Sequence, residues 1–126
     1  MTHRLSRREA LLATGAILAA PAFAQPGYPE RTLRIIVPQT AGGPSDVLAR
    51  LFAQKLTEQL GKAVIVENRP GAGANIGTDL VAKSKPDGYT LLINIAGILA
   101  INQTLYKQLP FDAVRDLDGV ARVVTS

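Results

Sequence analysis

Apolar and polar positions along this chain follow two periods that take turns. Leu33-Arg34-Ile35-Ile36-Val37 is a near-continuous apolar run, the pattern of a parallel strand buried on both faces. Val47, Leu48, Leu51, Phe52, Leu56 and Leu60 then recur at helical spacing, which predicts a helix with one broad apolar stripe. Pro44 suits the first position of that helix and Gly61 its stop. Ala63 to Val66 predicts a second strand. Asn75 reads as the N-cap of a second helix that buries Ile76, Leu80 and Val81 and carries Lys83 and Lys85 near its end. After the turn Pro86-Asp87-Gly88 come a third strand, Tyr89 to Ile95, and a third helix from Ile98 to Lys107. A final apolar run, Gly119 to Val124, predicts a fourth strand. Strands alternating with helices through short connections make an α/β domain, a parallel sheet with right-handed crossovers and flanking helices.

In such sheets ligands sit beyond the carboxyl ends of the strands, and here both of the first two strands end in small-residue turns. The first is Thr40-Ala41-Gly42-Gly43, followed by Pro44, Ser45 and Asp46; the second is Gly71-Ala72-Gly73-Ala74, followed by Asn75. Small side chains let the main chain approach a ligand, and each turn opens a helix whose first N–H groups lack intrahelical acceptors. Two helix starts side by side predict an anion pocket made largely of main chain, so a small carboxylate or phosphate is the expected ligand class. An aspartate in place of Gly73 is expected to occupy the ligand's position. Ser45 and Thr40 carry hydroxyls at the right places, though both residue types also form turns and caps. Asp46 reads either as a water-mediated ligand contact or as a favourable acid in the first helical turn. Asn94, which interrupts the third strand near its carboxyl end, either faces the cleft or caps backbone. Asn68 and Arg69 are expected to shape their loop and face solvent.

Composition narrows the chemistry. The 126 residues allow one domain, with 47% hydrophobic and 19% charged residues, so nothing suggests disorder. The net charge of +4 is shared with the first 24 residues, where Arg4, Arg7, Arg8 and Glu9 lie, and no basic stripe with interleaved aromatics points to nucleic acid. Cysteine is absent, which removes disulfides and thiolate metal sites. His3 is the only histidine and lies in the leader, so a histidine triad or zinc site is not expected in the folded part. That leader has a basic start, an apolar stretch from Ala10 to Ala20 and the small–x–small pattern Ala22-Phe23-Ala24. It reads as an export signal over residues 1–24 with a mature start near Gln25, its apolar run being shorter than the roughly 20 residues that span a bilayer. Ser6-Arg7-Arg8-Glu9-Ala10-Leu11-Leu12 resembles a twin-arginine signal, with Ala10 for the usual bulky residue and Leu12 for the usual lysine, so both export routes stay open.

Two other classes fit the residues less well. Gly71, Gly73 and Gly77 follow a strand and open a helix, which approaches the dinucleotide fingerprint but is one residue too long. The third strand also lacks the acidic residue that would hold a ribose, which disfavours an exported dinucleotide-binding enzyme. Ser45 follows Gly43-Pro44 rather than standing in G-x-S-x-G, which disfavours a hydrolase.

Five blocks resemble a known family in order. They are Ile36-Val37-Pro38 with Ala41 to Arg50, Val66-Glu67-Asn68-Arg69-Pro70-Gly71-Ala72-Gly73-Ala74-Asn75-Ile76-Gly77, Pro86-Asp87-Gly88-Tyr89-Thr90-Leu91-Leu92, Asn102 to Tyr106, and Leu109-Pro110-Phe111-Asp112. Together they resemble the N-terminal part of Bug-type receptors, the solute-binding components of tripartite tricarboxylate transporters. Departures are Gln39-Thr40-Ala41 where two prolines often precede the glycine pair, Ala74 where a further glycine is usual, and Gln103 where proline is common. The resemblance implies a non-catalytic, two-lobed periplasmic protein of the type II class, monomeric when complete and needing no cofactor. Such a protein closes on a small carboxylate and delivers it to the transporter's membrane permease subunits. On this reading residues 25–126 are the N-terminal part of lobe one, ending near the strand that crosses to lobe two. A truncated fragment without binding activity is the alternative.

Overall fold

The computed structural model describes residues 27–124; the leader and its cleavage site lie outside them. The elements are β1 (Leu33–Val37), α1 (Pro44–Leu60), β2 (Val64–Asn68), α2 (Asn75–Ala82), β3 (Thr90–Leu92) and α3 (Ala96–Leu105). The strands form one parallel sheet in the order β2-β1-β3, with Leu33 beside Val64 and Arg34 beside Thr90. The α/β class with a parallel sheet is therefore as the sequence pattern predicts.

β1 is central because it alone can be buried on both faces. Leu33, Ile35, Ile36 and Val37 are all fully buried. Its one charged residue, Arg34, reaches over β2 and donates from Nε and Nη2 to both carboxylate oxygens of Glu67, each at 2.8 Å. The chain moves outward from β1 to β2 and then back past β1 to β3. With right-handed crossovers, that reversal puts α1 and α2 on opposite faces of the sheet. Ile35, Val37, Ala49 and Ala53 form the core under α1, with Leu56, Val64, Val66, Leu91 and Ile93 packed around them.

The face of α1 differs from the expected stripe. Asp46, Ala49 and Ala53 are its buried residues, whereas Val47 and Leu51 are 60% and 53% exposed. Alanines at 49 and 53 let the helix backbone settle closely on β1, and Asp46 is drawn inward by hydrogen bonds, so the bulkier residues are turned away. The stop is as expected: Gly61, at φ 66°, donates its N–H to the Thr57 carbonyl at 3.0 Å.

Four further differences have local causes. Asn75 is not the N-cap of α2; Ala74 is, and the Asn75 side chain is engaged elsewhere. β3 is shorter than expected because Asn94 leaves the ladder to make side-chain bonds, although Ile93 still donates to the Ile36 carbonyl at 3.0 Å. α3 begins at Ala96 and ends at Leu105, a little earlier at both ends than expected. Residues 119–124 are not a strand: they join no sheet, and Val120 is 84% exposed. An apolar run becomes a strand only where a sheet edge supplies its hydrogen-bond partners.

At the amino ends of the strands an aromatic cluster fastens the lead-in. The Tyr28 hydroxyl donates to the Gly88 carbonyl at 2.6 Å, its ring meets Tyr89 edge-on, and Arg31 lies over the Tyr89 ring while pairing with Asp87 at 2.7 Å. Both glycine turns lie at the other, carboxyl end.

Candidate functional site

The first turn follows from the need to leave a buried strand and start a helix within a few residues. Gly42 takes φ 84°, and a Cβ there would meet nothing within 4 Å. Gly43 caps α1 in extended conformation with no side-chain hydrogen bond, and Pro44 brings no N–H of its own. Val47 N–H closes on the Gly43 carbonyl at 3.0 Å, while the N–H groups of Ser45 and Asp46 find no acceptor among the described residues. The hydroxyls of Thr40 and Ser45 make no hydrogen bond among those residues either, so the rim formed by Thr40, Ala41, Gly42, Gly43 and Ser45 keeps free donors, although the Gly42 N–H is taken by Asp46.

Asp46 is the keystone under that rim. It is 3% exposed, and its Oδ2 accepts from Gly42 N–H at 2.8 Å and Arg50 Nε at 3.1 Å. Its Oδ1 accepts from Asn68 Nδ2 at 3.0 Å. The Arg50 guanidinium first, and then the Gly42 N–H, hold this carboxyl down to about 2. Asn68 also donates to the Gln39 carbonyl at 3.2 Å and accepts from Arg50 at 3.2 Å. Asn68 thus shapes the loop as expected, but from a half-buried position between β2 and the first turn rather than from solvent. Arg69 is exposed and pairs with Glu67 at 3.2 Å. Glu67 is held below the usual carboxylate range, chiefly by Arg34.

The second turn is built from left-handed backbone. Gly71, Ala72, Gly73 and Ala74 have φ of 131°, 46°, 63° and 76° in succession. The directions their side chains would take are filled by protein: a Cβ at Gly71 would lie 2.5 Å from Ile76 Cδ1, and one at Gly73 would lie 2.7 Å from the Tyr106 hydroxyl. An aspartate at 73 would therefore meet Tyr106 rather than enter the ligand's position. At the start of α2, a Cβ at Gly77 would be 2.8 Å from Pro38 Cβ and 2.9 Å from the Arg69 carbonyl oxygen. Only glycine lets this helix start come so close to the base of the first turn.

A polar relay links the two turns behind the strand ends. Gln39 Nε2 donates to Asn94 Oδ1 at 2.9 Å, and Asn94 Nδ2 donates to Thr78 Oγ1 at 3.2 Å. Thr78 Oγ1 in turn donates to the Ala74 carbonyl at 2.8 Å. Asn94 Oδ1 also accepts from Ile95 N–H at 2.8 Å. Both ends of the Asn94 amide are thereby used within the protein, which makes it a strut between the turns. Asn75 Oδ1 accepts from Asn102 Nδ2, which also donates to the Gly73 carbonyl, each at 2.7 Å. Sequence reasoning placed Gln39 in the first turn without its bond to Asn94, and missed Thr78, Asn102 and Tyr106 as parts of this region. A buried polar residue on an otherwise apolar helix face, as at Thr78 and Asn102, was the one available signal.

Arg50 and Arg69, the cations beside the turns, both have carboxylate partners. What the arrangement offers is an uncapped helix start at Gly43, a second at Ala74 without a side-chain cap, and free hydroxyls. Such groups bind an anion through main-chain hydrogen bonds and the aligned peptide dipoles.

Known proteins are similar to this chain in sequence and in fold. BugT of Bordetella pertussis is 44% identical over 124 residues, which cover 98% of this chain and 37% of BugT. A Rhodopseudomonas palustris protein solved with adipate is 40% identical with a TM-score of 0.66, over 70% of this chain and 29% of that one. MatC from the same organism, with bound malate, is 34% identical with a TM-score of 0.66, over 71% of this chain and 30% of MatC. The chain spans about a third of the length of the curated relatives it matches. Residues 48–126 match the model of the tripartite tricarboxylate transporter family receptor, and this chain belongs to that family.

Proposed function

We propose that this chain is the N-terminal part of the first lobe of a periplasmic solute receptor, which captures a small organic carboxylate and hands it to the membrane permease subunits of a tripartite tricarboxylate transporter. The observation that carries this reading is the pair of helix starts without side-chain caps, locked together by the Asp46–Asn68 and Gln39–Asn94–Thr78 bonds. Main-chain donors at two uncapped helix starts suit a carboxylate, with a dipole contribution of about 0.3–1 kcal/mol per terminus. Charge-assisted hydrogen bonds add about 1.5–3 kcal/mol each. Relatives solved with adipate and malate support the same ligand class. The receptor binds without chemical transformation, is exported by the leader over residues 1–24, and works as a monomer.

Gly43→Asp tests the site. Gly43 has φ −77°, a Cβ there would stand 3.5 Å from the Thr40 carbonyl oxygen, and aspartate is a favoured N-cap, so the fold tolerates the change. The added carboxylate competes for the anion's donors and repels it. Gly27→Asp, at the opposite end of the strands where a Cβ meets nothing within 4 Å, is the charge-matched control. Calorimetry on the full-length gene product against malate, adipate, citrate, aspartate and benzoate should show binding to at least one acid. That affinity should fall at least about tenfold, or about 1.4 kcal/mol, in Gly43→Asp and stay unchanged in Gly27→Asp. Equal binding by a folded Gly43→Asp protein, or no acid bound by folded parent protein, overturns the reading.

A further inference from the structure

We propose that Asn102 is a positioning residue for the second turn, and that α3 is the clasp which holds this turn in a conformation it would not keep alone. Four successive residues, Gly71 to Ala74, have positive φ, and two of them, Ala72 and Ala74, carry a Cβ. Left-handed backbone is sterically unfavourable for a residue with a Cβ, so the neighbours must hold this stretch in place. The helix that follows supplies one stay, the Thr78 hydroxyl on the Ala74 carbonyl. The other comes from 27 to 29 positions along the chain: Asn102, 7% exposed on α3, uses both hydrogens of Nδ2, one on the Gly73 carbonyl and one on Asn75 Oδ1. The Tyr106 hydroxyl, one turn further along, closes over Gly73.

Asn102 does two things at once. It pins the central carbonyl of the left-handed stretch, which fixes where the neighbouring N–H groups point. It also takes up the acceptor end of the Asn75 amide, leaving Asn75 Nδ2, a pure donor, as the end with no partner among the described residues. A residue outside the turn thereby sets the hydrogen-bonding polarity of the turn's rim. The consequence for anion affinity rests on the receptor reading above, but the backbone consequence does not.

The test is a cycle of Asn102→Ala, Ala74→Gly and the double variant in the full-length gene product, read by backbone NMR. Ala74→Gly alone removes the left-handed cost and should raise the folding equilibrium constant about fivefold or more, about 1 kcal/mol. In Asn102→Ala the exchange of the amides of residues 73–75 should speed at least tenfold, and the Cα shift of Ala74 should lose its positive-φ signature. The amides of Ile35 to Val37 should keep their protection. Adding Ala74→Gly should restore slow exchange at 73–75 by at least half of the loss, a rescue that a mere packing role of Asn102 would not give. A neutral or destabilising Ala74→Gly overturns the proposal, as does an unchanged turn in Asn102→Ala. If Asn102→Ala unfolds altogether, the double variant decides: refolding upholds the clasp and failure to refold overturns it. Malate and adipate titrations of the same proteins report separately on the receptor reading, since failure of both acids to bind leaves the exchange result standing.

Discussion

At the residue scale, Asp46 shows how one carboxylate can serve the fold and the site together. Its position in the first turn of α1 is favourable for any acid, which is why the sequence pattern left its role open. The structure gives its oxygens three donors, from Gly42, Arg50 and Asn68, and the carboxyl is held down to about 2. An unfolded aspartate titrates near 3.9, so its native pKa is the lower one. Such a group adds its stability above about pH 4 and loses it as the pH falls from there through about 2. Glu67 works in the same direction. Urea titrations between pH 5 and 2 should therefore show falling stability, with a shallower slope in Asp46→Asn, which begins less stable. An equal slope in both proteins would mean that Asp46 is not a source of the acid sensitivity. Helical spacing suggests Arg50, four positions on, but not Asn68, which lies 22 positions away on β2.

Elements were more legible than the faces they present. β1 occupies the predicted run Leu33–Val37, and α1 runs from the predicted Pro44 to the stop before Gly61. Those boundaries rest on proline, glycine and uninterrupted apolar residues, whose effects are local. The inward face of α1 is a tertiary property: Ala49 and Ala53 win it through size, although Val47 and Leu51 are more hydrophobic. Replacing Ala49 with leucine should overpack the space against Ile35 and Val37 and cost about 1–3 kcal/mol in chemical denaturation. Leu51→Gln, on the exposed side, should stay within about 0.5 kcal/mol of the parent. The opposite ranking would place the apolar stripe inward after all. The same distinction explains the coil at 119–124, whose residues have strand propensity but no described partner to pair with. It also explains why the partner of Asn102 is not legible in the sequence, since a side chain reaching a main-chain carbonyl 29 residues away leaves no periodic trace.

For the whole molecule, the polar relay makes the two turns one rigid unit, so a receptor built on it would present its donors already aligned before any ligand arrives. That preorganisation lowers the ordering cost of binding. The periplasmic reading also makes a prediction about processing. Expressed with its own leader, the protein should be recovered from the periplasm with a mature N-terminus at or next to Gln25, as mass spectrometry of the intact protein would show. Retention in the cytosol with residues 1–24 attached would count against export. Lysines in place of Arg7 and Arg8 would block secretion if the twin-arginine route is used and leave it intact otherwise.

The β2-β1-β3 order carries a consequence for the timing of biosynthesis. The strand at the middle of the sheet is the first to leave the ribosome, yet its two flanks arrive only with Val64–Asn68 and Thr90–Leu92. Until then this apolar strand has both edges open. Every strand contact here is non-local, a topology that slows folding and prolongs the exposure of sticky intermediates. If the chain is exported through a translocase that accepts only unfolded substrates, that delay is useful, because a nascent chain unable to complete its sheet early stays threadable. The same delay leaves the apolar stretch Leu33 to Val37 exposed for longer than either of the strands that later flank it.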